Sequence, residues 1–210
     1  MKKILLSLFA LLFISTLHAQ TDLLSVKIGG QTWMAKNLDV DHYRNGDPIP
    51  EVKDPYAWPG LTTGAWCYYN NDTANGRIYG KLYNWYAVSD PRGLAPAGWH
   101  IPSDSEWTAL ERSLGGISVA GGKLKEAGIM HWATPNTGGD NSSGWTGLPG
   151  GMRDQISYFV TVKQVGYWWT SSERNTLALI HLLGSAYSRA GGTAMSGKQG
   201  FGYSVRCLRD

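Results

Sequence analysis

Residues 128–151 hold the feature that most limits how this chain can fold. The stretch is rich in Gly, Asn, Thr, Ser and Pro, yet it carries Trp132 and Trp145. A disordered linker keeps few aromatic groups, because it has no core in which to bury them. A loop this long inside a domain is either functional or held by its own packing. We therefore expect an ordered loop region pinned by aromatic side chains. The same mixture runs through the whole chain, with ten Trp, eleven Tyr and 27 Gly. Gly costs about 1 kcal/mol against Ala inside a helix. A mainly helical architecture is disfavoured, and short strands, many turns and an irregular aromatic core are expected.

The N-terminus reads as an export signal over residues 1–19. Lys2 and Lys3 are followed by an apolar run from Ile4 to Ile14, and Leu17 and Ala19 stand before a cleavage point. The run falls short of the roughly 20 apolar residues a membrane span needs. No later stretch is long and apolar enough either, so we expect no membrane span and a secreted, periplasmic or cell-surface location for residues 20–210. The net charge is +3, and Lys2 and Lys3 contribute to it, so the remaining domain is close to neutral. Such a balance gives no electrostatic footprint for nucleic acid. Cys67 and Cys207 are the two cysteines. In an oxidising compartment they could form a disulfide closing a long loop. Two separate buried thiols are the other reading.

A hairpin is expected over Ser25–Leu38, turning at Gly29-Gly30. Ala65 to Tyr69 suits a short buried strand. Leu82, Tyr83, Trp85 and Tyr86 have spacings that predict a helix over Ile78–Val88. Ser103 with Glu106 makes a capping box, followed by Trp107, Leu110 and Leu114 on one face and a Gly115-Gly116 stop. A short helix is expected over Ser118–Ala127, and strands over Tyr167–Ser171, Leu177–Leu183 and Phe201–Leu208. The last alternates, with Phe201, Tyr203, Val205 and Cys207 on one face and Gly202, Ser204 and Arg206 on the other. One α+β domain accounts for all of this.

Several phrases occur in a characteristic order. They include Gln31-Thr32-Trp33-Met34-Ala35-Lys36-Asn37-Leu38, Tyr43-Arg44-Asn45-Gly46-Asp47-Pro48, Tyr79-Gly80-Lys81-Leu82-Tyr83-Asn84-Trp85, Gly98-Trp99-His100-Ile101-Pro102-Ser103, Tyr167-Trp168-Trp169-Thr170-Ser171-Ser172 and Ser204-Val205-Arg206-Cys207. Together they resemble the Fibrobacter succinogenes major paralogous domain family, from about Val26 to Asp210. The stretch from Gly98 to Trp107 is also similar to a strand-turn-helix phrase of the formylglycine-generating enzyme group. That resemblance implies a C-type-lectin-like fold, with two main helices packed on small twisted antiparallel sheets and long ordered loops.

The chemistry legible in the motifs is sparse. The paired reactive cysteines of formylglycine generation are missing, since only Cys207 lies in the closing part. Gly122-Lys123 is followed by Leu124, so it fails as a phosphate loop. No Gly-x-Ser-x-Gly elbow occurs. His42, His100, His131 and His181 lack zinc-ligand spacing. Calcium is left open as a ligand, because Asp140 and Asn141 sit in an oxygen-rich, Gly-flanked loop. No other cofactor is expected. Trp132, Trp145, Trp168 and Trp169 are candidate platforms for stacking on a sugar or anchoring a partner. The reading is an exported, non-catalytic binding or structural module for a glycan or cell-surface protein. A carbohydrate-active enzyme with a nonlocal carboxylate pair is the alternative.

Overall fold

The computed structural model describes residues 24–191, 194–198 and 200–210. The expected signal peptide lies outside the described residues. The chain opens with the expected hairpin, in which β1 (Ser25–Ile28) and β2 (Gln31–Met34) pair antiparallel. Its turn uses Gly29 at φ +58°, a conformation that favours a residue without Cβ. β3 is only Trp66–Cys67, because Tyr69–Asn71 turns into a 3-10 helix. Then come α1 (Thr73–Tyr79), β4 (Leu82–Asn84) and α2 (Trp85–Val88).

The single helix expected over Ile78–Val88 is therefore replaced by a helix end, a strand and a new helix. Gly80 at φ +75° stops α1. All three residues of β4 are buried, and the strand pairs on both sides. Asn84 then restarts a helix by accepting the Ala87 N–H at 3.0 Å.

β5 (Trp99–His100) leads into α3 (Asp104–Ser113), with the expected capping box in place. The Ser103 N–H donates to Glu106 Oε2 at 2.7 Å, and the Glu106 N–H donates back to Ser103 Oγ. Trp107 and Leu110 face inward. α4 (Ile117–Leu124) follows at once, ending earlier than expected. Its Gly121 and Gly122 exist for packing. A Cβ on Gly121 would lie 2.3 Å from the Arg189 carbonyl oxygen, and one on Gly122 2.4 Å from that of Gly138. The remaining strands are β6 (Met152–Arg153), β7 (Phe159–Val160), β8 (Val165–Arg174), β9 (Leu177–Gly184), β10 (Ala194–Ser196), β11 (Gly202–Tyr203) and β12 (Leu208–Arg209).

These strands form three antiparallel sheets in a mixed α+β arrangement. Their orders are β1-β2-β12-β5, β10-β9-β8 and β3-β4-β11-β6-β7. The tail lies against the opening hairpin, with Leu208 opposite Trp33. Phe201–Leu208 is not one continuous strand. β11 belongs to one sheet and β12 to another, and Ser204 between them bridges Trp168 of the third. A segment where three sheets meet has no open face. Arg206, which simple alternation places outward, is consequently only 1% exposed.

All ten tryptophans are buried. So are four cations, Lys81, Lys125, Arg153 and Arg206. Each sits over an aromatic ring and donates to backbone carbonyls. Lys125 Nζ reaches the carbonyls of Thr137, Gly184 and Tyr187 at 2.9–3.0 Å, above Trp132. Arg153 reaches those of Val52, Lys53 and Asp54, between Trp58 and Phe159. Loops leave carbonyls inside that no strand ladder serves. An unserved buried acceptor costs about 1–3 kcal/mol. A multi-donor cation serves several at once, and ring faces offset part of its desolvation.

Candidate functional site

The site grows from Asn37, just after β2. Its Nδ2 donates to the Tyr79 carbonyl at 2.9 Å. Its Oδ1 accepts from Trp168 Nε1 at 2.8 Å and from Arg206 Nε and Nη2 at 3.1 and 2.9 Å. Gly80 allows the end of α1 to close on this stretch, since a Cβ there would lie 3.0 Å from the Leu38 carbonyl oxygen. Arg206 also donates to the Trp145 carbonyl and, at 3.5 Å, to that of Thr146. Its guanidinium carbon lies 3.8 Å from the Trp145 ring centroid. Beneath it Trp145 makes edge contacts with Trp33, Trp107 and Trp168. Burial pushes the Arg206 guanidinium down to about 9. Among the described residues no carboxylate forms an ion pair with it.

Above this layer lies a cleft of about 470 Å³. Lys36, Asn37, Arg77, His131, Thr146 and Arg206 give it polar walls, and Ala35, Ile78 and Leu148 give it apolar ones. Lys36 and Arg77 are exposed, and among the described residues neither forms an ion pair. His131 is fixed by Glu126, whose two carboxylate oxygens both lie 2.9 Å from Nδ1. Its ring meets Tyr79 edge-on at 6.2 Å. Among the described residues three cations thus line a cleft that no carboxylate lines. An adjoining groove of about 390 Å³, walled by Met34, Leu38, Val40 and Pro96, shares Lys36 and Asn37 with it.

A family model for the Fibrobacter succinogenes major domain matches residues 26–209. The chain belongs to this family. Among curated proteins and among solved structures, nothing matches it.

In this Fibrobacter succinogenes major domain the four tryptophans expected to offer ligand platforms are all interior. Trp145, Trp168 and Trp169 are 0% exposed and Trp132 1%. Each indole N–H of Trp132, Trp168 and Trp169 donates inside the protein, to Gly147, Asn37 and Tyr83 respectively. Trp145 and Trp168 act on the cleft from below, by supporting Arg206 and Asn37. Aromatic count alone does not tell a platform from a foundation. The strongly exposed aromatics are instead Tyr56 and Tyr158, on loops joined by the Ser157 hydroxyl donating to the Pro55 carbonyl.

The calcium candidates Asp140 and Asn141 make local contacts within their loop. Asp140 Oδ1 accepts the Ser142 N–H at 2.8 Å, a local turn contact. Asn141 clamps Thr146, accepting its N–H at 2.8 Å and donating to its Oγ1 at 3.0 Å. No group of three or more His, Cys, Asp or Glu side chains with metal-holding geometry occurs among the described residues. Cys67 and Cys207 are free, buried thiols. Cys67 lies on β3 opposite Leu82, and the Cys207 carbonyl accepts the Met34 N–H beside β2. Burial pushes both thiols up to about 12.

The tightest titratable cluster lies elsewhere. His181 on β9 is held between Asp104 and Glu111, each 3.0 Å from one ring nitrogen, and stacks on Trp107 at 4.9 Å. Both nitrogens are engaged and the side chain is 3% exposed, so it packs α3 onto the sheet. Sequence reasoning missed Lys36, Arg77 and Arg206 as site residues. Lys36 and Arg206 stood inside the characteristic phrases, which was the available signal. Arg77 carried none.

Proposed function

We propose that this Fibrobacter succinogenes major domain is an exported, non-catalytic binding module and that the cleft above Arg206 receives its ligand. The carrying observation is the cleft lining, which offers hydrogen-bond donors and apolar faces without a carboxylate or thiol. Such a surface can hold and orient a ligand. Cleavage of a glycoside calls for two carboxyl groups flanking the bond. Glu126 holds His131 through Nδ1, which leaves Nε2 as a further hydrogen-bonding group for a ligand. The signal pattern of residues 1–19 supports export. A C-type-lectin-like arrangement is supported by the tail strand lying on the opening hairpin and by α3 rising from β5 through its capping box. Glycans and cell-surface proteins are the ligand classes this location would offer.

The test is a screen of glycans and polysaccharides against the full chain, run with calcium and with chelator. Ile78→Trp would fill the cleft mouth from an exposed helix position. The expected result is a glycan captured intact by the parent chain, with or without calcium, and released by Ile78→Trp. Cleavage products, or capture untouched by Ile78→Trp, would overturn the proposal.

A further inference from the structure

We infer that the ligand of this cleft is an acidic saccharide whose carboxylate is received by Lys36 and Arg77 in front of Arg206. The inference rests on the binding reading above and adds the ligand's charge and class. Arg206 is a cation removed from water with only neutral oxygen partners. Its four contacts leave one of the five guanidinium N–H groups uncommitted. Buried charges are ordinarily paired. Lys125 and Arg153 are equally neutral in their partners, but they line none of the clefts described above. Of these three only Arg206 lines one of the clefts described above, and that cleft adds two exposed cations that form no ion pair among the described residues. An incoming carboxylate would supply the missing counter-charge through short, charge-assisted hydrogen bonds.

The side chains argue for a saccharide. A peptide added as a strand is held chiefly through its main chain. In this cleft the Ala35 N–H is engaged with the Leu24 carbonyl and the Thr146 N–H with Asn141 Oδ1, both at 2.8 Å, and Arg77 and Ile78 lie within α1. The Asn37 amide and Thr146 hydroxyl beside Ile78 and Leu148 suit the mixture of hydroxyls and C–H faces on a sugar ring. The adjoining groove across Lys36 and Asn37 leaves room for a second ring.

Calorimetric titration of the full chain with a galacturonate tetramer, its methyl ester and a glutamate tetrapeptide tests this. The acid should bind at least about tenfold tighter than the ester, and that advantage should shrink between about 0.05 M and about 0.5 M salt. Lys36→Gln with Arg77→Gln should remove most of the advantage with an unchanged melting temperature, since both positions are exposed. Equal affinity for acid and ester would overturn the charge inference and leave the binding module standing. Equal or tighter binding of the tetrapeptide would overturn the saccharide. If acid and ester both fail while a neutral glycan is captured and released by Ile78→Trp, this inference falls alone. If no glycan is captured at all, the binding reading falls with it.

Discussion

Lys125→Met tests whether buried cations, rather than aromatics alone, hold the long loops. The methionine keeps most of the apolar stem and removes the ammonium. Three carbonyls, of Thr137, Gly184 and Tyr187, then lose a donor at 2.9–3.0 Å. Each buried acceptor left unserved costs about 1–3 kcal/mol. Against this, burying an ammonium is itself costly, several kcal/mol per ion after relaxation, and that cost disappears. Burial pushes the Lys125 amine down to about 8, which shows the cost is present. Three carbonyls at about 2 kcal/mol each, against about 3 kcal/mol of desolvation relieved, leave a net loss of about 3 kcal/mol. For a domain of this size each kcal/mol moves the melting temperature by roughly 2–4 °C, so a fall of roughly 6–12 °C is expected. Urea and thermal unfolding give the magnitude, and amide exchange gives the place. The Thr137 N–H, bonded to Ser185, and the Ser185 N–H, bonded to Gln164, should lose protection first. A loss below about 1 kcal/mol, with exchange at those two amides unchanged, would refute the reasoning.

Other consequences follow from the same geometry. His100 lies 2.8 Å from Asp210 and 3.0 Å from Glu106; burial opposes its charged form, but these hydrogen bonds outweigh it and raise its pKa. Its contribution is therefore full below the ordinary value of about 6.5 and lost as pH rises through the folded value. Burial acts oppositely on Glu106, but hydrogen bonds from Ser103 and then His100 lower its pKa, so its contribution is lost on acidification. The urea midpoint should fall as pH rises above about 6.5, and His100→Gln should flatten that fall; an unchanged slope would count against the pair. Gly121→Ala drives a Cβ against the backbone of Arg189 and Ala190, at 2.3–2.7 Å. Overpacking of that kind costs about 1–3 kcal/mol. Gly30→Ala meets nothing within 4 Å and serves as the control; equal urea midpoints for the two would contradict the packing. Cys67 and Cys207 should resist thiol reagents while folded and both react after unfolding without reductant. A count of zero thiols would show a bridge.

Signals confined to a few neighbouring residues were legible. Gly29 between two alternating tetrads announced the hairpin, and Ser103 with Glu106 announced the start of α3. Both outcomes depend on contacts within about four residues. The Ile78–Val88 stretch misled because Leu82, Tyr83, Trp85 and Tyr86 satisfy a helical spacing, while in the fold Leu82 and Tyr83 fill a buried strand and Trp85 and Tyr86 begin a separate helix. Short apolar runs do not separate these cases. What separated them was the pairing of β4 with β3 and β11, and β11 lies more than a hundred residues downstream. Arg206 was misplaced for a related reason, since alternation presumes that one face of a strand is open.

The candidate site shows the deeper limit. Lys36, Arg77, His131 and Arg206 converge from four separate regions of the chain, and no spacing encodes that meeting. Yet their convergence has a physical logic that begins with the feature most visible in the sequence. Loops rich in Gly need interior donors for their carbonyls, and Arg and Lys over aromatic rings provide them at several places. At Lys125 and Arg153 that arrangement is sealed by loops and ends as structure. At Arg206 the layer above it is a cleft, walled by α1 and the stretch after β2. The same stabilising device therefore leaves a fixed positive charge at the floor of an open surface, held rigid by Asn37 from the side and Trp145 from below. Rigid charge costs no reorganisation when a ligand arrives. A binding site of this kind needs only exposed residues such as Lys36 and Arg77 to tune it, so substitution at those two positions is expected to change ligand preference without disturbing the fold.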